Sequence, residues 1–387
     1  MQGGPAGDLG GHGAIIAPGF VDAHVHLPQF DSIGVHGRTL LDWLDRVIFP
    51  AEVRWSDANY AAAMAGRVAE RLLSCGTTSV CAYATVHHES ARRAMAALSA
   101  AGVSGLVGQV LMDRNAPPEL TRPAGQLLAE AARLERVGRV APIITPRFAV
   151  SCSEELLRGA GALADSTGQR IQTHLAETLE EGAFVASLFG GLAYTEVYRR
   201  CGLVREGTMF AHAIHLSQQA IGDLAKAKCV VAHCPTANLF LQSGRMNRGG
   251  LASAGIGCAL GSDVAGGHEV SMARVAQAMI ETVTNAKLSA GESDGQRATA
   301  EIPTASQAWW QITAGNAGLL GLDRAAAGGT GLPVGRLAAG YAADLVVIRP
   351  GLDRLLESPD PLGALLWGWD DRWITQVITG GRVRWSS

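Results

Sequence analysis

The chain has 387 residues, 48% of them hydrophobic and 17% charged, with a formal net charge of −3. That balance describes a packed globular protein and excludes an intrinsically disordered one, whose low hydrophobicity prevents core formation. There is no run of like charges, and no apolar stretch approaches the roughly 18 residues that a spanning helix needs, so neither a nucleic-acid nor a membrane partner is expected.

The first 13 residues hold six glycines and read as a lead-in with little to pack. From Ala14 to about Leu322, short apolar runs alternate with longer helical stretches, the pattern of an α/β fold with a parallel sheet. The strand candidates are Gly19–Leu27, Thr77–Tyr83, Gly105–Leu111, Ala141–Thr145, Arg170–His174, Thr208–His212, Cys229–His233 and Gly257–Gly261. Helical stretches such as Asp57–Ser74 and Glu89–Ala101 carry apolar residues at helical spacing. Eight strands with intervening helices predict a (β/α)8 TIM barrel. An open doubly wound sheet also accommodates eight strands, but His24, His26, Arg147, His174, His212, His233 and Asp263 all fall at or just past strand C-terminal ends. In a barrel those ends converge on one mouth. A helix over Ala305–Leu320 follows, then strand-like Leu345–Arg349 and a pair, Ile374–Ile378 and Arg382–Trp385, joined by Gly380-Gly381. The expected organisation is a lead-in over 1–17 that is a remnant of a small β subdomain, a barrel over 18–334, and the strands of that subdomain over 335–387.

Residues two apart on a strand point to one face, so His24 and His26 aim two imidazoles at one point. Such a pair arises by chance in roughly one chain in three at this histidine content. Taken singly, His24, His26, His174 and Asp263 each also suit a satisfied core or loop position. Together with His212, in order at the ends of strands one, five, six and eight, they match a catalytic metal site whose nitrogen and carboxylate ligands suit zinc or iron. Glu177, three residues past His174, would face the same point; a place in the first turn of a helix, favoured by its dipole, is the alternative. The seven cysteines are scattered without a Cys-x-x-Cys pair and read as reduced thiols of a cytoplasmic protein.

Over nearly its whole length the chain resembles the amidohydrolase superfamily, through Pro18-Gly-Phe-Val-Asp-Ala-His-Val-His26, Thr173-His-Leu-Ala-Glu177, His233-Cys-Pro235 and Gly261-Ser-Asp263. Within it, Gln29, Leu41-Asp-Trp-Leu44, Phe49-Pro-Ala-Glu52, Thr145-Pro-Arg-Phe148, Ser151-Cys-Ser-Glu154 and Asp263-Val-Ala-Gly-Gly267 resemble the guanine deaminases. The resemblance implies one zinc per chain, with iron as the alternative, bound by His24, His26, His174 and Asp263, and a homodimer. It implies that His212 polarises a water whose pKa the metal lowers to about 7. Attack on carbon 2 of guanine, with Glu177 protonating the ring nitrogen and Asp263 the departing amine, would give xanthine and ammonia. Arg147 offers paired donors for the carbonyl at position 6 and Gln29 both a donor and an acceptor for the ring edge. Phe148 and Trp43 offer apolar faces for the purine, with His174 and Glu177 completing the substrate contacts. Trp43 equally suits a core or lid position, and Arg147 a rim residue bonding carbonyls. The alternative activity is hydrolysis of another aminated heterocycle or a chlorinated triazine.

Other motifs are set aside. His233 is expected to make a structural hydrogen bond, and His215 to pack in a loop near the mouth. His87-His88-Glu89 is not followed by the Pro-Cys-x-x-Cys of cysteine-ligated deaminases. Gly159-Ala-Gly-Ala-Leu-Ala164 mimics a dinucleotide fingerprint but lies in a helical pattern. Relatives carry several strands before the first barrel strand, whereas only 17 residues precede Pro18 here. The tail strands are therefore expected to lack partners and present open edges, with Met1 a misplaced start or the chain a fragment.

Overall fold

Buried apolar strands alternate with amphipathic helices in the computed structural model, which describes residues 9, 11, 13–291, 301–324, 331–351 and 355–387. Most of the glycine-rich lead-in lies outside the described residues. The first strand, β1 (Ile15–Pro18), is followed after Gly19 by β2 (Phe20–His26), β3 (Thr77–Tyr83), β4 (Ser104–Gly108), β5 (Val110–Leu111), β6 (Val140–Pro142) and β7 (Thr145–Pro146). Then come β8 (Gln172–Leu175), β9 (Met209–His212), β10 (Val230–His233) and β11 (Gly257–Leu260), and in the tail β12 (Leu345–Ile348), β13 (Ile374–Thr379) and β14 (Arg382–Ser386).

The architecture is α/β. One parallel sheet has the order β2-β3-β4-β6, a second β11-β10-β9-β8, and β5 pairs with β7 in parallel between them. Every residue of β2 and β3 is buried, as expected of parallel strands covered on both faces. Two of the expected strands are interrupted. The run Gly105–Leu111 breaks at Gln109, whose side-chain amide donates to Val86 O and Glu130. The run Ala141–Thr145 breaks between β6 and β7, each of which ends on a proline that lacks a ladder donor. Two seams join the sheets. Ile144 accepts from Gln172 N and donates to Arg170 O, linking β7 to β8. On the other side, Asp263 N donates to His24 O at 2.8 Å and His26 N to Val264 O at 3.2 Å, linking β2 to the segment after β11.

The helices follow their sequence signals. Ala58–Ser74 starts where Asp57 accepts from Asn59 N and Tyr60 N, and it buries Ala61, Met64, Ala65, Val68 and Leu72 at helical spacing. The helical run over 305–320 passes through one π-helical turn, Gln311–Gly315. Gly159–Ala164 lies inside the helix Glu154–Thr167, not at a strand-to-helix turn. Among the described residues no helix is long and apolar enough to cross a membrane.

The tail strands are not unpartnered. Ile15–Pro18 pairs antiparallel with β12 in the register Ile15↔Ile348 to Pro18↔Leu345, giving a four-stranded sheet β1-β12-β13-β14. The apolar Ile-Ile-Ala before Pro18 is a strand in its own right, which corrects the expectation of open inner edges. Phe20 meets Trp309 and Trp369 at 5.5 and 5.9 Å between centroids, so the start of β2 is anchored in an aromatic cluster with the tail.

Candidate active site

Strand C-terminal ends carry the site, and the backbone there is bent. His212, Asp263 and Ala176, the residue before Glu177, have φ of 67°, 51° and 48°. Non-glycine residues adopt this left-handed region at a cost of about 1–3 kcal/mol, and such strain clusters at functional sites. At Asp263 it is held by the bond to His24 O and by Gly267 N donating to Asp263 O at 2.7 Å. A side chain at Gly261 would meet His24 Cβ at 2.6 Å, so only glycine lets this segment approach β2.

Ligating atoms of His24, His174, His212 and Asp263 lie within 4.8 Å of one another, and all four residues are buried. His26 borders this quartet, with Nε2 3.1 Å from His174 Nε2 and 3.4 Å from Asp263 Oδ1. All five expected residues are therefore brought together, with His212 standing in the tightest grouping. Burial, reinforced by neighbouring charges, pulls His24, His26 and His174 well below the usual histidine range, so each is a neutral imidazole with a lone pair to give. Neither ring nitrogen of His24 has a hydrogen-bond partner among the described residues. His174 Nδ1 donates to Arg147 O at 2.6 Å, which turns Nε2 inward as the acceptor. Orphaned buried nitrogens facing a carboxylate, with no thiolate, fit a divalent cation of the zinc type.

Around the cluster, Asp263 is pushed up to about 6 by burial, against the pull of His212 and Arg147. Burial also pushes Glu177 up, against His212 and the hydroxyl of Ser243. Glu177 Oε2 is 3.4 Å from His212 Nε2, and Oε1 accepts from Ser243 Oγ at 2.7 Å. Burial alone would lower His212, but the Glu177 and Asp263 carboxylates raise it overall. Its Nδ1 donates to Asn238 Oδ1 at 2.8 Å, which directs Nε2 toward those two carboxylates. Asn238 and Ser243 come from one segment after β10, pinned at its end by His215 Nε2 donating to Ser243 O. No sequence signal marked Asn238 or Ser243; His233-Cys-Pro235, just upstream, was the available pointer.

Gln29, Trp43, Arg147, Phe148, His174 and Glu177 all line one pocket over the cluster, walled on its apolar side by Leu40, Leu44 and Leu241. Gln29 is held at both ends, its Nε2 donating to Glu52 at 3.2 Å and its Oε1 accepting from Ala265 N at 3.2 Å. Arg147 Nη1 bonds both oxygens of Glu52, at 2.8 and 2.6 Å. Glu52 belonged to a recognised motif but carried no assigned role. His233 corrects an expectation: it is fully buried, neither ring nitrogen is bonded among the described residues, and burial drives it down to about 3, so it sits as a neutral core residue.

Comparison with known proteins bears on the family and the fold. The family model described as the amidohydrolase family matches residues 15–384. Guanine deaminase from Escherichia coli (strain K12) is 31% identical over 385 residues, covering 96% of this chain and 83% of that protein. Guanine deaminase from Dictyostelium discoideum is 36% identical over 268 residues, covering 67% of this chain but 60% of that protein's length. The crystal structure of guanine deaminase from C. acetobutylicum with bound guanine in the active site superposes with a TM-score of 0.86 at 32% identity, covering 96% of this chain and 87% of that one. The chain belongs to the amidohydrolase family and, within it, to the guanine deaminases.

Proposed function

We propose that this chain hydrolyses guanine to xanthine and ammonia. The observation that carries the reading is one buried pocket that sets a paired-donor arginine, Arg147, beside a cluster of three histidines, an aspartate and an acid. The guanine-bound relative supports the same base as substrate.

We infer that the two four-stranded sheets and the β5-β7 pair close into a (β/α)8 barrel, with β4 and β5 forming one strand position and β6 and β7 another. The hydrogen bonds across both seams support closure. The cation is proposed as zinc, with iron as the alternative, held by His24, His26, His174 and Asp263 with His212 alongside. When bound, it supplies a nucleophilic water by lowering that water's pKa toward neutrality.

The chain's own groups then do the following. His212, its Nε2 directed inward by the bond from Nδ1 to Asn238, orients the attacking water and takes a proton from it. Glu177, whose carboxyl burial favours the protonated form, gives a proton to the ring nitrogen next to carbon 2. Asp263, 3.8 Å from His212, takes the proton remaining on the former water oxygen and passes it to the exocyclic amine, which leaves as ammonia, and His212 returns its own proton to Glu177, 3.4 Å away. Arg147 and Gln29 hold the carbonyl edge, and Phe148 and Trp43 flank the ring and exclude water. A cytoplasmic homodimer is the state proposed from the resemblance, and sedimentation of the purified chain tests its dimeric part.

The test is incubation with guanine while ammonia and xanthine are followed, with adenine, cytosine and a pterin alongside. Stoichiometric xanthine from guanine alone supports the reading; turnover of another base in its place overturns it. Arg147→Ala acting on guanine at full kcat/KM would remove the purine-6-one argument.

A further inference from the structure

The Glu52 carboxylate is buried on the short helix Phe49–Val53 and does not line the pocket, whereas both side chains it binds, Arg147 and Gln29, do. Arg147 and Glu52 are 3% and 4% exposed, so this is a fully desolvated ion pair. Both bonds to Glu52 use Arg147 Nη1, and among the described residues no hydrogen bond uses Nε or Nη2. The other titratable groups whose fields reach the guanidinium are Asp263, Tyr83 and the imidazoles of His24, His26 and His174.

A buried guanidinium with no counter-charge is an anion site, because an uncompensated charge away from water is strongly unfavourable and a carboxylate or oxyanion relieves it. With Glu52 on one nitrogen the charge is already balanced, and the remaining N–H groups act as hydrogen-bond donors of fixed direction. They suit an uncharged carbonyl oxygen, and an anionic ligand placed there faces the Glu52 charge behind the arginine. Substrate and product of the proposed reaction differ in this respect. Guanine is neutral around physiological pH, while xanthine carries a second ring carbonyl, is the stronger acid and ionises near neutrality.

Resting on the deaminase reading, we propose that Glu52 is a specificity-determining positioning residue. It cancels the charge of Arg147 and aims its free donors, so that the pocket selects an uncharged purine-6-one and disfavours the ionised product. Glu52 touches no substrate in this arrangement; it acts through Arg147 and Gln29. Product release is thereby coupled to loss of a proton from xanthine.

The experiment measures inhibition of guanine turnover by xanthine and by hypoxanthine, an uncharged purine-6-one, in the wild type, Glu52→Gln and Glu52→Asp. The ratio of the two inhibition constants cancels titration of the protein's own groups. In the wild type the ratio of xanthine to hypoxanthine constants should rise as xanthine ionises. In Glu52→Gln, at a pH where xanthine is ionised, it should fall by roughly tenfold or more, the scale of one unit charge a few ångströms away in a partly screened site. Glu52→Asp, which keeps the charge, should keep the wild-type ratio. A purely structural Glu52 weakens both inhibitors in parallel, and an unchanged ratio in Glu52→Gln overturns the inference. If that variant does not fold, the wild-type ratio decides: a ratio that stays flat or falls as xanthine ionises overturns the inference as well. Absence of xanthine formation by the wild type instead refutes the deaminase reading itself, and this inference with it.

Discussion

Asn316 offers a direct test of how the seam between β2 and β11 is held. Its carboxamide is fully buried, with Nδ2 donating to Val21 O and to Leu260 O at 2.7 Å each. Its Oδ1 accepts from Leu260 N and from Gln311 Nε2 at 2.9 Å each. Every hydrogen-bonding position of the side chain is used, and three of the four partners are main-chain groups of the two strands. The amide therefore fills the place that a regular ladder between β11 and β2 would occupy. Asn316→Leu keeps the volume and strands Val21 O, Leu260 N and Leu260 O away from water. At about 1–3 kcal/mol for each stranded group, with carbonyls at the low end, the loss should be roughly 3–6 kcal/mol. That is a large share of the typical 5–15 kcal/mol of a folded domain. At about 2.1 cal/mol/K per residue of unfolding entropy, a chain of this length should lose roughly 4–7 °C in Tm. Thermal unfolding followed by circular dichroism measures it. A Tm within about 1 °C of wild type would show that the strands meet without the asparagine and that the seam is not built as described.

Three further expectations concern the chemistry. Ser243→Ala removes the hydroxyl that donates to Glu177 and should lower kcat about tenfold or more with little change in KM, while Ser243→Thr restores it; steady-state kinetics in which KM alone moves would refute the positioning role. Glu181 caps the helix Leu179–Leu188, and burial, with the nearby Glu177, pushes it up to about 7 from 4.5. Because the folded state holds the proton more tightly, its contribution is fully present below pH 4.5 and is lost as pH rises through about 7. Glu181→Gln should therefore gain stability over wild type as pH rises across that window, by up to about 3 kcal/mol, and a pH-independent difference in urea unfolding counts against the shift. Chelation should abolish turnover and also lower Tm, since a ligand bound only to the native state stabilises it, and elemental analysis should find about one zinc or iron per chain; an unchanged Tm with no metal lost removes the cation from the scheme.

How much could be read from the chain alone depended on the kind of signal. His24 and His26 were readable because strand alternation is local, and His174, His212 and Asp263 because each stands at or just past the C-terminal end of a strand candidate. The pocket lining, from Gln29 to Phe148, was reached through motif resemblance and falls together in space. Asn238, Ser243 and Asn316 were not found and Glu52 stood in a motif without a role, since each acts through a partner 23 or more positions away in the chain. Hydrophobic periodicity carries no information about such pairings. The left-handed φ of Ala176, His212 and Asp263 was equally hidden, because alanine does not favour that region and the enrichment of histidine and aspartate there still leaves it a minority conformation for both. The missed β1 has a simpler cause: Ile15-Ile16-Ala17 is too short to read as a strand until β12 lies beside it.

The charge balance of the site ties these observations to one requirement. Asp22 and Asp263 are both pushed up to about 6, Glu181 to about 7 and Glu177 upward, in each case mainly by burial. Four buried carboxyl groups in one neighbourhood repel one another when ionised and must be offset by hydrogen bonds, protons or a cation. Hydrogen bonds serve Asp22, which accepts from Ser262 and from His24 N, and Glu181, which accepts from Glu177 N and Tyr194. Arg147 is the cationic side chain of the pocket, and Glu52 already takes its charge. His24, His26 and His174 are held neutral. Asp263 and Glu177 are thus left to be balanced by a proton on Glu177 and by the proposed dication. A metal seated among neutral imidazoles offsets Asp263 without drawing on Arg147, which stays free to recognise an uncharged carbonyl. The pairing of Glu52 with Arg147 therefore separates the two electrostatic tasks of the pocket, metal binding at one end and selection of a neutral purine at the other.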